Sequence, residues 1–103
     1  MSPKKERIPV PEAQEITKEF LKEFNVFAVE RGKVKGREFG IQLDLPRYVQ
    51  AIRAAHGQMT QAELAEALEV DYTYISKIEN GKTTPTFEFM ERLAFFVMRQ
   101  DKA

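Results

Sequence analysis

The chain has 103 residues, 43% of them hydrophobic, which is enough material for one compact core and little for a second. It has no cysteine and a single histidine, His56, so disulfide frameworks, thiolate metal sites and histidine clusters are excluded. Its 16 lysines and arginines balance 16 aspartates and glutamates, and this formal net charge of zero argues against nonspecific affinity built on neutralising phosphates. Neither part is basic overall: residues 1–45 hold nine cations and eight acids, residues 46–103 seven and eight. The one dense cationic run is Arg31, Lys33, Lys35 and Arg37. No apolar run approaches the length of a membrane helix, and the opening Met-Ser-Pro-Lys-Lys-Glu lacks the apolar core of a signal peptide, so a cytoplasmic location is expected.

Pro3, Pro9 and Pro11 interrupt the first residues, and residues 1–10 are expected to form an extended or mobile arm. Pro11 suits a first helical turn. From about 12 to 24, Ala13, Ile16, Phe20 and Phe24 recur at three and four residues with Lys18, Glu19 and Lys22 between them, the spacing of an amphipathic helix. Its apolar stripe either docks on the chain's own core or binds a partner. Beyond it the period changes. Phe39, Ile41, Leu43 and Leu45 alternate with Glu38, Gly40, Gln42 and Asp44, as in a half-buried strand. Residues 26–31 are rich in strand formers, and Gly32 and Gly36 suit tight turns, so a β-hairpin is predicted over about 26–45. The cationic run would lie at its turn end, either as a solvated tip or as an arm gripping DNA.

Pro46 opens a helix predicted to run to about His56, burying Val49 and Ile52 and ending near Gly57. Thr60 and Glu63 make a capping box ahead of Leu64, Ala65 and Leu68. Asp71 is an N-cap before Tyr74, Ile75 and Ile78, and Thr86 is one before Phe89, Met90, Leu93, Ala94 and Val97. Gly81 and Pro85 separate the last two helices. The expected fold is therefore mainly α: an N-terminal extension over 1–45, holding arm, helix and hairpin, followed by a helical domain over 46–103.

Two short helices joined by Glu69 and Val70 cannot bury a core alone, but they pack at a steep angle when a small residue sits at the crossing. Ala65 is that residue, and Leu64, Leu68, Val70, Ile75 and Ile78 converge on it. This is the pattern of a helix-turn-helix. With Asp71 as the cap, the second helix, 71–80, turns Tyr74, Ile75 and Ile78 inward and Tyr72, Thr73, Ser76 and Lys77 outward. A helix fits the major groove, where Lys77 can donate to guanine, Thr73 can touch a thymine methyl, and Tyr72 can reach a base edge or a phosphate.

From about residue 52 to 97 the chain resembles the XRE family of Cro/CI-type helix-turn-helix regulators. The matching segments are Ile52-Arg53, Thr60-Gln61-Ala62-Glu63-Leu64-Ala65, Tyr74-Ile75-Ser76-Lys77-Ile78-Glu79-Asn80-Gly81-Lys82, and Pro85 with the capped helix after it. The resemblance implies a Cro/CI-like domain in which Thr60, Gln61, Asn80 and Lys82 contact the phosphate backbone while Tyr72, Thr73, Ser76 and Lys77 read bases. It also implies a structural ion pair between Arg53 and Glu79, provided one residue is inserted near Gln58. Three features depart from the family. Glu69 stands where the motif turn usually has glycine, and a non-glycine residue at positive φ costs about 1–2 kcal/mol. A fifth helix that would cover Phe95, Phe96 and Val97 is missing, so the N-terminal helix or a second subunit must cover them. Residues 1–45 lie outside the resemblance.

The expected function is a dimeric, sequence-specific repressor of a palindromic, double-stranded operator, with recognition helices about 34 Å apart. It would be cytoplasmic and nucleoid-associated, with no cofactor, metal or membrane partner. The alternative is an antitoxin whose N-terminal extension wraps a toxin. Enzymatic activity is not expected: no nucleophile with a base, metal cluster or phosphate loop is present, and Glu63, Glu66 and Glu69 read as a solvated helix face. His56 reads as a helix-end residue near the carbonyl dipole.

Overall fold

The computed structural model describes residues 8–33 and 43–102, with side chains described over 8–26 and 43–100. These residues form five helices: α1 Val10–Lys33, α2 Leu45–Ala55, α3 Gln61–Leu68, α4 Tyr72–Glu79 and α5 Phe87–Lys102.

The predicted hairpin is not found. Its upstream strand, residues 26–31, is the C-terminal part of α1, and Leu45, expected to end its downstream strand, is the first residue of α2. Phe39 and Ile41 lie outside the described residues, and among the described residues there is no strand. Once a helix is nucleated, each further residue adds a hydrogen bond at little cost, whereas a lone two-stranded hairpin is marginal in water. Ala28, Glu30 and Arg31 favour helix, so α1 propagates through the β-branched Val29 among them.

The apolar stripe of α1 is spent on the chain's own core. Ala13, Ile16, Phe20 and Phe24 are buried in the same cluster as Val49 and Ile52 of α2, Leu64 of α3, Ile75 of α4 and Leu93 of α5. The helix lies chiefly along α2, with a smaller contact on α5. Phe20 meets the ring of Tyr48 at 5.3 Å, and Phe24 stacks on Phe87 at 5.6 Å. Tyr48 is buried, and its hydroxyl donates to Glu23 at 2.6 Å. Burial, and then the Glu23 carboxylate beside it, push the phenol above its usual pKa. Thr17, buried on α1, is satisfied by donating to the Ala13 carbonyl at 2.8 Å.

Within the chain, α5 is covered well enough to bury Phe96 and Val97, and the Phe96 ring sits edge-on to His56 at 5.5 Å. Phe95 stays 54% exposed. Capping follows the local sequence. Pro46 lies in the first turn of α2; Thr60 and Glu63 complete both halves of a capping box on α3; the Thr86 hydroxyl accepts from the Phe89 N–H at 3.1 Å. The Thr86 N–H in turn donates to the Tyr74 hydroxyl at 3.3 Å, tying the start of α5 to α4.

Candidate nucleic-acid interface

The turn between α3 and α4 is built on a left-handed residue. Glu69 has φ 60° and ψ 44°, the Val70 N–H donates to the Ala65 carbonyl at 2.9 Å, and the Glu69 N–H donates to Glu66 at 3.2 Å. This is the paired closure that glycine usually makes at a helix end, here carried by a glutamate at a backbone cost. Arg92 of α5 donates to the Leu68 carbonyl at 2.8 Å, so an otherwise orphaned helix-end acceptor is satisfied from across the fold.

Asp71 starts α4 by accepting from the Thr73 N–H at 3.1 Å. Ile75 and Ile78 then enter the core, and Tyr74 sits edge-on to Phe89 at 5.2 Å. The opposite edge presents Tyr72, Thr73 and Lys77 exposed, with Ser76 half-buried between them. At the far end Gly81 takes φ 71°, and the Lys82 N–H donates to the Lys77 carbonyl at 2.8 Å. The Asn80 side-chain amide donates to the Ser76 carbonyl at 2.9 Å, so it caps its own helix. Lys82 is exposed just beyond.

A four-residue network joins α2, α3 and α4. Arg53 donates through Nε to Glu79 Oε2 at 2.7 Å and through Nη2 to Glu79 Oε1 at 2.9 Å. Its Nη1 donates to the Met59 carbonyl at 2.9 Å, and Gln61 Nε2 donates to Glu79 Oε1 at 2.9 Å. The Glu79 side chain is 5% exposed and that of Arg53 23%. A carboxylate removed from water in this way is held by a bidentate, charge-assisted fork plus an amide. The connection leading into it contains two successive left-handed residues, Gly57 at φ 87° and Gln58 at φ 57°. Beyond them the Met59 N–H reaches the Arg53 carbonyl at 2.9 Å while the Met59 carbonyl receives the Arg53 guanidinium.

Of the residues expected at a phosphate backbone, Thr60 and Lys82 are exposed, whereas Gln61 and Asn80 each give a side-chain amide hydrogen to the protein. Thr60, Gln61 and Asn80 share the wall of an open cleft of about 390 Å³ with Arg53, Gln50 and Ile8. Sequence reading passed over the last two. Gln50 stands three residues before Arg53, a helical spacing that puts both on one side of α2 and would have identified it. Ile8 had no such signal. Arg31 and Lys33 lie in the last part of α1, their side chains not described; Lys35 and Arg37 lie outside the described residues. With residues 26–31 helical, the hairpin tip that was to carry them is withdrawn.

Among the described residues no group of acids and histidine is placed to hold a metal ion, and no helix is long and apolar enough to cross a membrane. The family model described as Helix-turn-helix matches residues 49–94, which span most of α2, all of α3 and α4, and half of α5. No curated protein and no solved structure is similar enough to the chain to count as a match. Residues 49–94 are thus similar to a helix-turn-helix domain, and an additional helix, α1, packs in front of it.

Proposed function

We propose that the protein is a sequence-specific transcriptional repressor that binds a palindromic operator as a homodimer, each copy placing α4 in the major groove. The observation that carries this reading is the outward edge of α4. Tyr72, Thr73 and Lys77 are exposed and Ser76 is half-buried between them, while the helix beneath them is fixed at its start by Asp71 and at its end by the Arg53–Glu79–Gln61 network. A rigid helix with a short polar reading edge suits direct readout: Lys77 toward guanine, Thr73 toward a thymine methyl or base edge, Tyr72 toward a base or phosphate. Thr60, Gln61, Asn80 and Lys82 flank that edge and set its register on the backbone.

Dimerisation follows from energetics. One module with four reading residues and zero net charge binds duplex weakly, and two copies on half-sites about 34 Å apart add their contacts. Phe95 and Met98, exposed one turn apart on α5, supply apolar surface for a second copy. The antitoxin reading is less favoured, because the apolar stripe of α1 that would have gripped a toxin is buried in the chain's own core. A DNA reader works at the nucleoid, which agrees with the expected cytoplasmic location.

The test is selection of fragments from a random duplex pool by the purified protein, with Lys77→Ala in parallel. An enriched inverted repeat that the variant binds more weakly is the expected result. Enrichment of a single, non-repeated site removes the dimer; no enrichment removes the DNA-reading function.

A further inference from the structure

The last helix, α5, has two faces. Phe89, Met90, Leu93, Ala94, Phe96 and Val97 are buried in the core, whereas Arg92, Phe95, Met98 and Arg99 are exposed and Glu91 is half-buried. At 3.6 residues per turn these last five all lie within about 60° of the Phe95 direction, so they form one stripe along the helix. Phe95 is 54% exposed and Met98 42%, which leaves an apolar centre to the stripe. Charge is ordered about that centre: Glu91 stands four residues before Phe95 and Arg99 four residues after it. Among the described residues neither Glu91 nor Arg99 has an ion-pair partner.

From this order we propose that α5 pairs antiparallel with α5 of a second copy of the chain, about a twofold axis passing through Phe95. The proposal rests on the homodimer proposed above and gives it a specific interface. About such an axis, a residue a given number of positions before Phe95 faces the residue the same number of positions after it in the other copy. Phe95 therefore meets its own counterpart, Arg92 meets Met98 of the second copy, and Glu91 of each copy meets Arg99 of the other. The Arg92 guanidinium donates to the Leu68 carbonyl at 2.8 Å, which leaves its methylene stem to cover a methionine. Two pairs of opposite charge then flank an apolar centre. A parallel arrangement sets Glu91 against Glu91 and Arg99 against Arg99, so repulsion selects the antiparallel one. The occupant follows from the same order. A stripe that runs acid, aromatic, base at equal spacing is its own complement, which an interface between identical copies requires and an unrelated partner does not.

The experiment is sedimentation equilibrium of the full chain without DNA, for the unsubstituted protein, Glu91→Arg, Arg99→Glu, an equimolar mixture of these two variants, and the chain carrying both substitutions. In either single variant alone, both facing pairs become pairs of like charge, and dimerisation is expected to weaken about tenfold. In the mixed dimer one copy brings two cations and the other two acids, so each facing pair is again opposite. The mixture and the doubly substituted chain are therefore expected to dimerise as the unsubstituted protein does, a recovery that a loss of folding in the single variants would not give. Single variants that dimerise with the unsubstituted affinity place the interface elsewhere and overturn the proposal, while leaving the homodimer standing. Weakening without recovery in the mixture overturns the antiparallel pairing. An unsubstituted protein that stays monomeric at every concentration removes the proposal and the homodimer together. DNA is absent from the measurement, so each of these failures leaves the reading edge of α4 to be judged by the fragment selection above.

Discussion

Arg53 and Glu79 meet side-on, with Nε to Oε2 at 2.7 Å and Nη2 to Oε1 at 2.9 Å, and through this pair α2 grips the last residue of α4. Glu79 is almost wholly removed from water, so the pair's importance lies less in its own attraction than in what its loss would leave behind. Arg53→Ala leaves a buried carboxylate with Gln61 as its remaining side-chain donor. The expected loss of stability is about 3 kcal/mol, at the low end for a broken buried pair because Arg53 is partly exposed. Urea denaturation measures it. Arg53→Lys should recover little, since an ammonium cannot make the two parallel bonds.

Glu69 and Gly81 both take positive φ at helix ends, one against its preference and one with it. Glu69→Gly should raise stability by about 1 kcal/mol by relieving the left-handed backbone. Gly81→Ala should lower it by a similar amount, about 1 kcal/mol. A Cβ at Gly81 meets nothing within 4 Å, so its effect is conformational rather than steric. Thermal or urea unfolding of the two variants should therefore shift in opposite directions, and a shift of the same sign would contradict the backbone account.

Lys77 is exposed and contributes no packing, so its role separates cleanly from folding. Lys77→Ala should leave the unfolding midpoint unchanged while weakening specific operator binding by about 1–3 kcal/mol. Equal operator affinities for the two proteins would take Lys77 out of the reading edge.

Phe20 is fully buried between α1 and α2. Phe20→Ala should cost about 3–5 kcal/mol, the range for an emptied core aromatic. A loss below about 1 kcal/mol, the range of a surface substitution, would show that α1 is not part of the cooperative fold.

Tyr48 supplies a pH signature. Its folded pKa is raised above the unfolded value of 10.0, so the folded state holds the phenolic proton more tightly. The associated stability is complete below the unfolded pKa and is lost as pH rises above it, through the folded value. Unfolding free energies measured across the unfolded value of 10.0, from about pH 9 to about pH 11, should fall more steeply for the unsubstituted protein than for Tyr48→Phe. Below pH 9 the variant should be about 1 kcal/mol less stable, having lost the hydrogen bond to Glu23.

The features that the sequence by itself determined are those whose causes lie within a few residues. Thr60 with Glu63, Asp71, Thr86 and Pro46 begin helices where their side chains or fixed φ predict, because a cap acts on the N–H groups two and three residues ahead of it. The arcs of α4 follow from a 3.6-residue period, and the chain's departure at Glu69 marked the left-handed turn in advance. Tertiary structure decided the rest. Residues 26–31 hold strand and helix formers together, and a strand there needed a distant partner, whereas α1 needed only to continue from a nucleus already formed. That Gln61 turns its amide to Glu79, that Arg92 satisfies the Leu68 carbonyl, and that Ile8 lies at the cleft beside Asn80 depend on how helices far apart in sequence come to rest. Such contacts are set by packing one core from all five helices, and no local pattern of residue types encodes which polar groups that packing brings within reach.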